Sequence, residues 1–109
     1  MNLKCKINGK EYNVAQGATF AEEYNETLDS GTIIIPHVKK IRDLMPFDDV
    51  FIYNSESEFK GYGPGVEMPK FYKHLLVDQF SEEIINLDER ICTYKIELMS
   101  ETKKLEVIQ

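Results

Sequence analysis

The sequence is poor in the features that would announce chemistry or a membrane. No apolar run approaches the roughly 18 residues that a transmembrane helix needs, and the opening MNLKCKINGKEY has no signal-peptide core. A membrane-inserted protein is therefore not expected, and synthesis in a cytoplasm is; without secretion the Asn25-Glu26-Thr27 sequon carries no meaning. Cysteine is limited to Cys5 and Cys92, far apart in the chain. Spacing does not show whether their Cα atoms come close enough to bridge, and two buried free thiols on strands is the simpler expectation. Histidine is limited to His37 and His74, and no CxxC or HxxxH pair exists, so neither a metal site nor a thiol nucleophile with an imidazole base is indicated by spacing. Cations are outnumbered: the formal charge is −6. An acidic domain lacks the main driving force for phosphate backbones and for anionic lipid, which excludes specific nucleic-acid binding as an expectation.

What is present is β-structure. The 109 residues make one small domain, 1–109, and the chain's end at Gln109 reads as the N-terminal fragment of something longer. The residues are 42% hydrophobic and 29% charged, enough for one modest core, and six Tyr and six Phe favour sheet over a helical bundle. Ile91 to Met99 alternates cleanly, with Cys92, Tyr94, Ile96 and Leu98 on one face; a half-buried strand has that period of two. Before it, Leu75 and Val77 share a face, and Phe80 falls out of phase. Both runs, within Phe71 to Met99, read as neighbouring antiparallel strands joined by an acidic, turn-capable segment. Leu3 to Ile7, Asn8-Gly9 and Glu11 to Ala15 form a hairpin signal, because Asn-Gly supplies the positive φ values of a type I′ turn.

Elsewhere the pattern is less sharp. Phe20, Tyr24 and Leu28 fit a helix, yet Phe20, Glu22, Tyr24, Glu26 and Leu28 also share one strand face; a turn at Asp29-Ser30-Gly31 and the run Thr32 to Ile35, ended by Pro36, favour strand for 19–28. Val50 to Tyr53 is a short strand. His37 to Asp49 is basic, then turn-like. Asn54 to Pro69, with SESEFKGYGPGVEMP, is expected as the most mobile surface loop, and its Gly61-Tyr62-Gly63-Pro64-Gly65 lacks the Lys-Ser/Thr of a phosphate loop. Ser100 to Ile108 is expected to make one or two helical turns, with Ser100 as N-cap. The whole predicts a mainly β domain of about seven strands, a small antiparallel barrel or sandwich with at most one or two short helices. Its expected core is Leu3, Ile7, Phe20, Ile33, Ile35, Val50, Ile52, Leu75, Val77, Tyr94, Ile96 and Leu98.

The candidate chemistry is thin. The carboxylates Glu22, Glu23, Glu26, Asp29, Asp48, Asp49, Glu82, Glu83, Asp88 and Glu89 are mostly neighbours in sequence, and neighbours on a strand face opposite ways, so paired acid catalysis is not expected. No catalytic, cofactor-binding or metal-binding residue is assigned. Lys39, Lys40 and Arg42 form a basic patch that would steer assembly if it met an acidic surface on another subunit.

Three pieces taken in order, FAEEYNETLDSGTIIIP (Phe20–Pro36), MPFDDVFIY (Met45–Tyr53) and HLLVDQFSEEIINLDERICTYKIELMSETKKLE (His74–Glu106), resemble the N-terminal domain of phage tail hub proteins. These are the tail-associated or tail-tip proteins of long-tailed phages and prophages of Gram-positive bacteria. The resemblance covers most of the chain. It implies a β-barrel or sandwich related to tail-tube proteins and a structural, non-enzymatic role in the virion tail. It further implies a baseplate hub ring, a homo-oligomer such as a trimer, that contacts the distal tail or tube protein, with no cofactor. A channel that passes DNA should repel phosphate, and Glu22, Glu26 or Glu97 is expected to contribute to such a face. The alternative expectation is a stand-alone β-rich module that binds a peptide or protein partner by strand addition.

Overall fold

The computed structural model describes residues 2–22, 29–54, 64–65 and 72–100, with the side chains of residues 21, 22, 29 and 72 left aside. Seven strands follow in order: β1 Leu3–Ile7, β2 Lys10–Val14, β3 Thr19–Glu22, β4 Asp29–Lys39, β5 Asp49–Asn54, β6 Tyr72–Asn86 and β7 Ile91–Met99. All pair antiparallel in one sheet of order β2-β1-β5-β6-β7-β4-β3. The fold is mainly β, and no described residue is helical. The sheet curls into a half-barrel, and its rim is pulled together where Ala15 N donates to Ile34 O at 2.8 Å, just beyond the end of β2.

Local chemistry explains the turns and irregularities. Asn8 and Gly9 take φ of 52° and 82°, the type I′ geometry that Asn-Gly favours, and set the register Ile7 opposite Lys10. In β6 a bulge at Asp78 lies between the pairs Val77–Leu98 and Gln79–Glu97. That extra residue explains the phase slip: Leu75 and Val77 before it, and Phe80, Glu82 and Ile84 after it, all lie on the concave face. The concave faces of β1, β4, β5, β6 and β7 form the core, in which Cys5, Ile33, Ile35, Val50, Ile52, Val77, Tyr94 and Ile96 are fully shielded. Leu3 and Phe20 pack against that core half-buried, so every expected core residue takes part. Cys5 and Cys92 are both buried and free.

Four expectations need correction. Asp29-Ser30-Gly31 is strand, not turn: Gly31 sits opposite Phe20, whose Cδ1 would lie 2.6 Å from a Cβ there, so the glycine permits close pairing. Pro36 does not end its strand; β4 continues to Lys39 through a bulge at Pro36-His37, where a missing N–H does no harm and His37 adopts φ 49°. The acidic segment before Ile91 is not a turn until Leu87, because Ser81 to Asn86 continue pairing with β7. The stretch His37 to Asp49, expected as basic and then turn-like, begins as strand and reaches inward: His37 to Lys39 belong to β4, Ile41 and Leu44 plug the core, and Tyr94 Oη accepts from Ile41 N at 2.8 Å. The expected loop at Asn54–Pro69 lies outside the described residues apart from Asn54, which ends β5, and Pro64-Gly65, which lie in a turn. The expected helical turns after Ser100, the sequon and residues 23–28 also lie outside the described residues.

Candidate interaction surface

The strands that build the barrel are unequal in length, and the excess is concentrated in one place. β6 pairs with β5 only over Tyr72 to Leu76. The chain leading into β5 extends this contact by one step, with Phe47 N donating to Val77 O and Val77 N to Asp48 O. From Asp78 to Asn86, β6 pairs with β7 on one side, and among the described residues nothing pairs with its other side. At about 3.3 Å per residue this bare edge is about 30 Å long.

Every residue from Asp78 to Arg90 is exposed, the apolar ones included. Phe80 is 37% exposed, Ile84 55%, Ile85 44% and Leu87 75%. Phe80 and Ile84 continue the concave core face beyond the point where β5 covers it, opposite buried Ile96 and Cys92. Ile85 sits at a second bulge. The tip is tightly made: Asn86 Oδ1 accepts from Glu89 N at 3.0 Å, Arg90 N donates to Leu87 O at 3.3 Å, and Arg90 takes φ 57°. An apolar strand with an unpaired edge is a template for another strand, and proteins commonly guard such edges with charge and bulges. Here the guards are Asp78, Glu82 and Glu83 together with the two bulges.

Glu82 also reaches inward. Its carboxylate accepts from Tyr94 Oη at 2.9 Å, while that hydroxyl accepts from Ile41 N. Burial pushes the Tyr94 phenol well above the usual tyrosine range, so it remains a donor to Glu82 across ordinary pH.

Between the 40–48 connection and the hairpin tip at Glu89 and Arg90 lies a cleft of about 1060 Å³. Lys10 of β2, Lys39 of β4, Lys40 and Arg42 of the connection, and Arg90 of the hairpin tip supply its cations. Its apolar walls include Ile7, Tyr12, Val38 and Ile41. The patch expected at Lys39, Lys40 and Arg42 is thus real, but it is joined by Lys10 from β2 and Arg90 from the hairpin tip. Lys40 N bonds Arg90 O at 2.9 Å and holds the two segments together.

The remaining candidates are dispersed. His37 is exposed at the β4 bulge, its N–H donating to Thr93 Oγ1 at 3.3 Å. His74 stacks on Phe51 with ring centres 4.5 Å apart and lies 2.8 Å from Asp49 Oδ1, on the convex face. Burial raises the Cys5 thiol to about 12, and burial with the nearby Glu82 also raises Cys92, so neither is a thiolate near neutral pH. Glu82 and Glu83 point to opposite faces of β6. Asp48 is occupied by Met45 N and the Asn8 amide, at 2.9 and 3.3 Å. Among the described residues no three His, Cys, Asp or Glu side chains converge as metal ligands. Glu97 lies on the convex face, where it accepts from the Gln79 amide. The side chain of Glu22, and Glu26 as a whole, fall outside the described residues. Comparison of the chain with known protein families, curated proteins and solved structures finds no match.

Proposed function

We propose that the chain is a structural subunit of a phage or prophage tail tip or baseplate, assembling with copies of itself into a closed hub ring around the tail channel. The observation that carries this reading is the β6 edge from Asp78 to Asn86, which has no pairing partner on its outer side among the described residues and has Phe80, Ile84 and Ile85 exposed along it. A strand edge of this length with apolar side chains is stabilised by pairing with another strand, and a heterologous contact repeated around an axis closes a ring. The three segments that resemble hub proteins lie largely in β3, β4, β5, β6 and β7, so the resemblance runs through the sheet that carries this edge. In this reading the ring contacts the distal tail or tube protein, sits in the virion tail, and keeps Glu97 on the convex face as one carboxylate able to turn phosphate away from the channel.

Light scattering behind size exclusion, across a wide concentration range, tests the assembly. A trimer or another closed ring that Ile84→Asp with Ile85→Asp dissolves supports the reading. Burying what these two side chains expose contributes about 1 kcal/mol each, so the double change should weaken association more than tenfold. A chain that stays monomeric at every concentration overturns it. The same edge also favours a second reading, a module that captures a peptide by strand addition; a monomer that binds an extended peptide along β6 would establish that one instead.

A further inference from the structure

The edge and the cleft are chemically opposite. From Asp78 to Asp88 the hairpin carries four carboxylates and no cation, interleaved with Ile84, Ile85 and Leu87. The cleft gathers five cations against three carboxylates, in a chain whose net charge is −6. One of those carboxylates, Asp48, is already held by Met45 N and Asn8. Among the described residues none of the five cations has an ion-pair partner; the Lys4–Glu11 pair lies elsewhere. The cations come from three separate stretches of the chain, and the junction is held by unusual backbone: Asn8, Asp43 and Arg90, all lining the cleft, adopt positive φ.

We infer that the cleft is the receptor for the acidic β6 edge of a second copy, making the contact head-to-tail. Mixed charge and apolar walls suit a protein segment, and the chain's overall negative charge repels a polyanion such as nucleic acid. The two surfaces adjoin at the hairpin tip, where Glu89 and Arg90 line the cleft, but no residue of the edge from Asp78 to Asn86 belongs to that lining. A copy that offers Asp78 to Asn86, none of which lines its own cleft, keeps that cleft for the next copy, which is the condition for a ring rather than a pair. The carboxylates that guard the edge against arbitrary strands would then select a partner rich in Lys and Arg, which gives the contact register and specificity. This inference rests on the assembly reading above and names the second half of its interface.

The test uses two charge-reversed chains. One carries Lys39→Glu, Lys40→Glu and Arg42→Glu in the cleft; the other carries Glu83→Lys and Asp88→Lys on the hairpin. All five positions are exposed, and circular dichroism verifies that each chain folds. Sedimentation velocity at low salt should show self-association weakened about tenfold or more in each chain alone and regained when the two are mixed, because each reversed surface then meets its opposite. Wild-type assembly should also weaken as the ionic strength rises toward about 1 M, where screening acts over about 3 Å. If wild type assembles and both reversed chains assemble equally well alone, the cleft is not the receptor, and the β6-edge assembly survives without it. If both are weakened but mixing restores nothing, the surfaces do not pair with each other, and the inference again fails alone. A wild-type chain that never associates overturns both.

Discussion

Removing one oxygen, in Tyr94→Phe, should loosen the 40–48 connection, which supplies Lys40 to Asp43 to the cleft. Tyr94 is fully buried, and its hydroxyl accepts from Ile41 N at 2.8 Å while donating to Glu82 at 2.9 Å. Phenylalanine keeps the ring, so no cavity opens and the packing of Ile96, Cys92 and Ile41 is retained. What changes is polar satisfaction. The amide of Ile41, a residue 9% exposed, loses its acceptor, and an unsatisfied buried donor costs about 1 to 2 kcal/mol. Glu82 lies on an exposed strand and regains water, so its loss adds only about 0.5 kcal/mol. The total is about 2 kcal/mol. With a urea slope of about 1.5 kcal/mol per molar, the unfolding midpoint should fall by a little over 1 M with the slope unchanged. The control, Glu82→Gln, keeps an acceptor for the Tyr94 hydroxyl and should cost less than about 1 kcal/mol. Hydrogen exchange gives the local reading, since the Ile41 amide should exchange faster in Tyr94→Phe than in Glu82→Gln. A midpoint shift under about 0.3 M, with Ile41 still protected, would refute the idea that this hydroxyl pins the connection.

Two further perturbations probe the sheet. Gly31→Ala places a Cβ 2.6 Å from Phe20 Cδ1 and 2.9 Å from Thr19 O; because the second atom is backbone, relief requires β3 to move, and chemical denaturation should show a loss of about 1 to 3 kcal/mol. The Cys5 thiol, raised from 9.0 to about 12 by burial, stays protonated in the folded chain while the unfolded chain releases its proton above pH 9. Its contribution is thus fully present below pH 9 and is lost between pH 9 and about 12, at up to about 1.4 kcal/mol per pH unit. Urea titrations at stepped alkaline pH should show a shallower decline in Cys5→Ala, and equal slopes would refute the assignment.

The strands were legible because their signals are local. Asn8-Gly9 defines its own turn, the alternation from Cys92 to Leu98 defines its own faces, and the out-of-phase Phe80 already records the bulge at Asp78 that restores it to the concave side. Pro36 and the triplet Asp29-Ser30-Gly31 misled for the converse reason. Each has a local preference for a break, and each is overridden by a neighbour that local reading does not supply: β7 across the bulge, and Phe20 across from Gly31. Ile41 and Leu44 have no period of two and sit among charged residues, so nothing before the fold marks them as core. The cleft was half visible, as Lys39, Lys40 and Arg42. Lys10 and Arg90 join that patch only because β1 pairs with β5 and β4 with β7, contacts between strands distant in sequence whose register is decided by the whole sheet. The β6 edge was hidden in the same way. Its acidic residues resemble a turn until the partner strand β7 shows that they continue the ladder, and β5 shows how early its cover ends. Surfaces of this kind arise from differences in strand length. A strand that, among the described residues, pairs on one side only over nine residues, beside a face shielded elsewhere, places its recognition chemistry where the ladder is incomplete, and that is where substitutions should alter assembly without altering the fold.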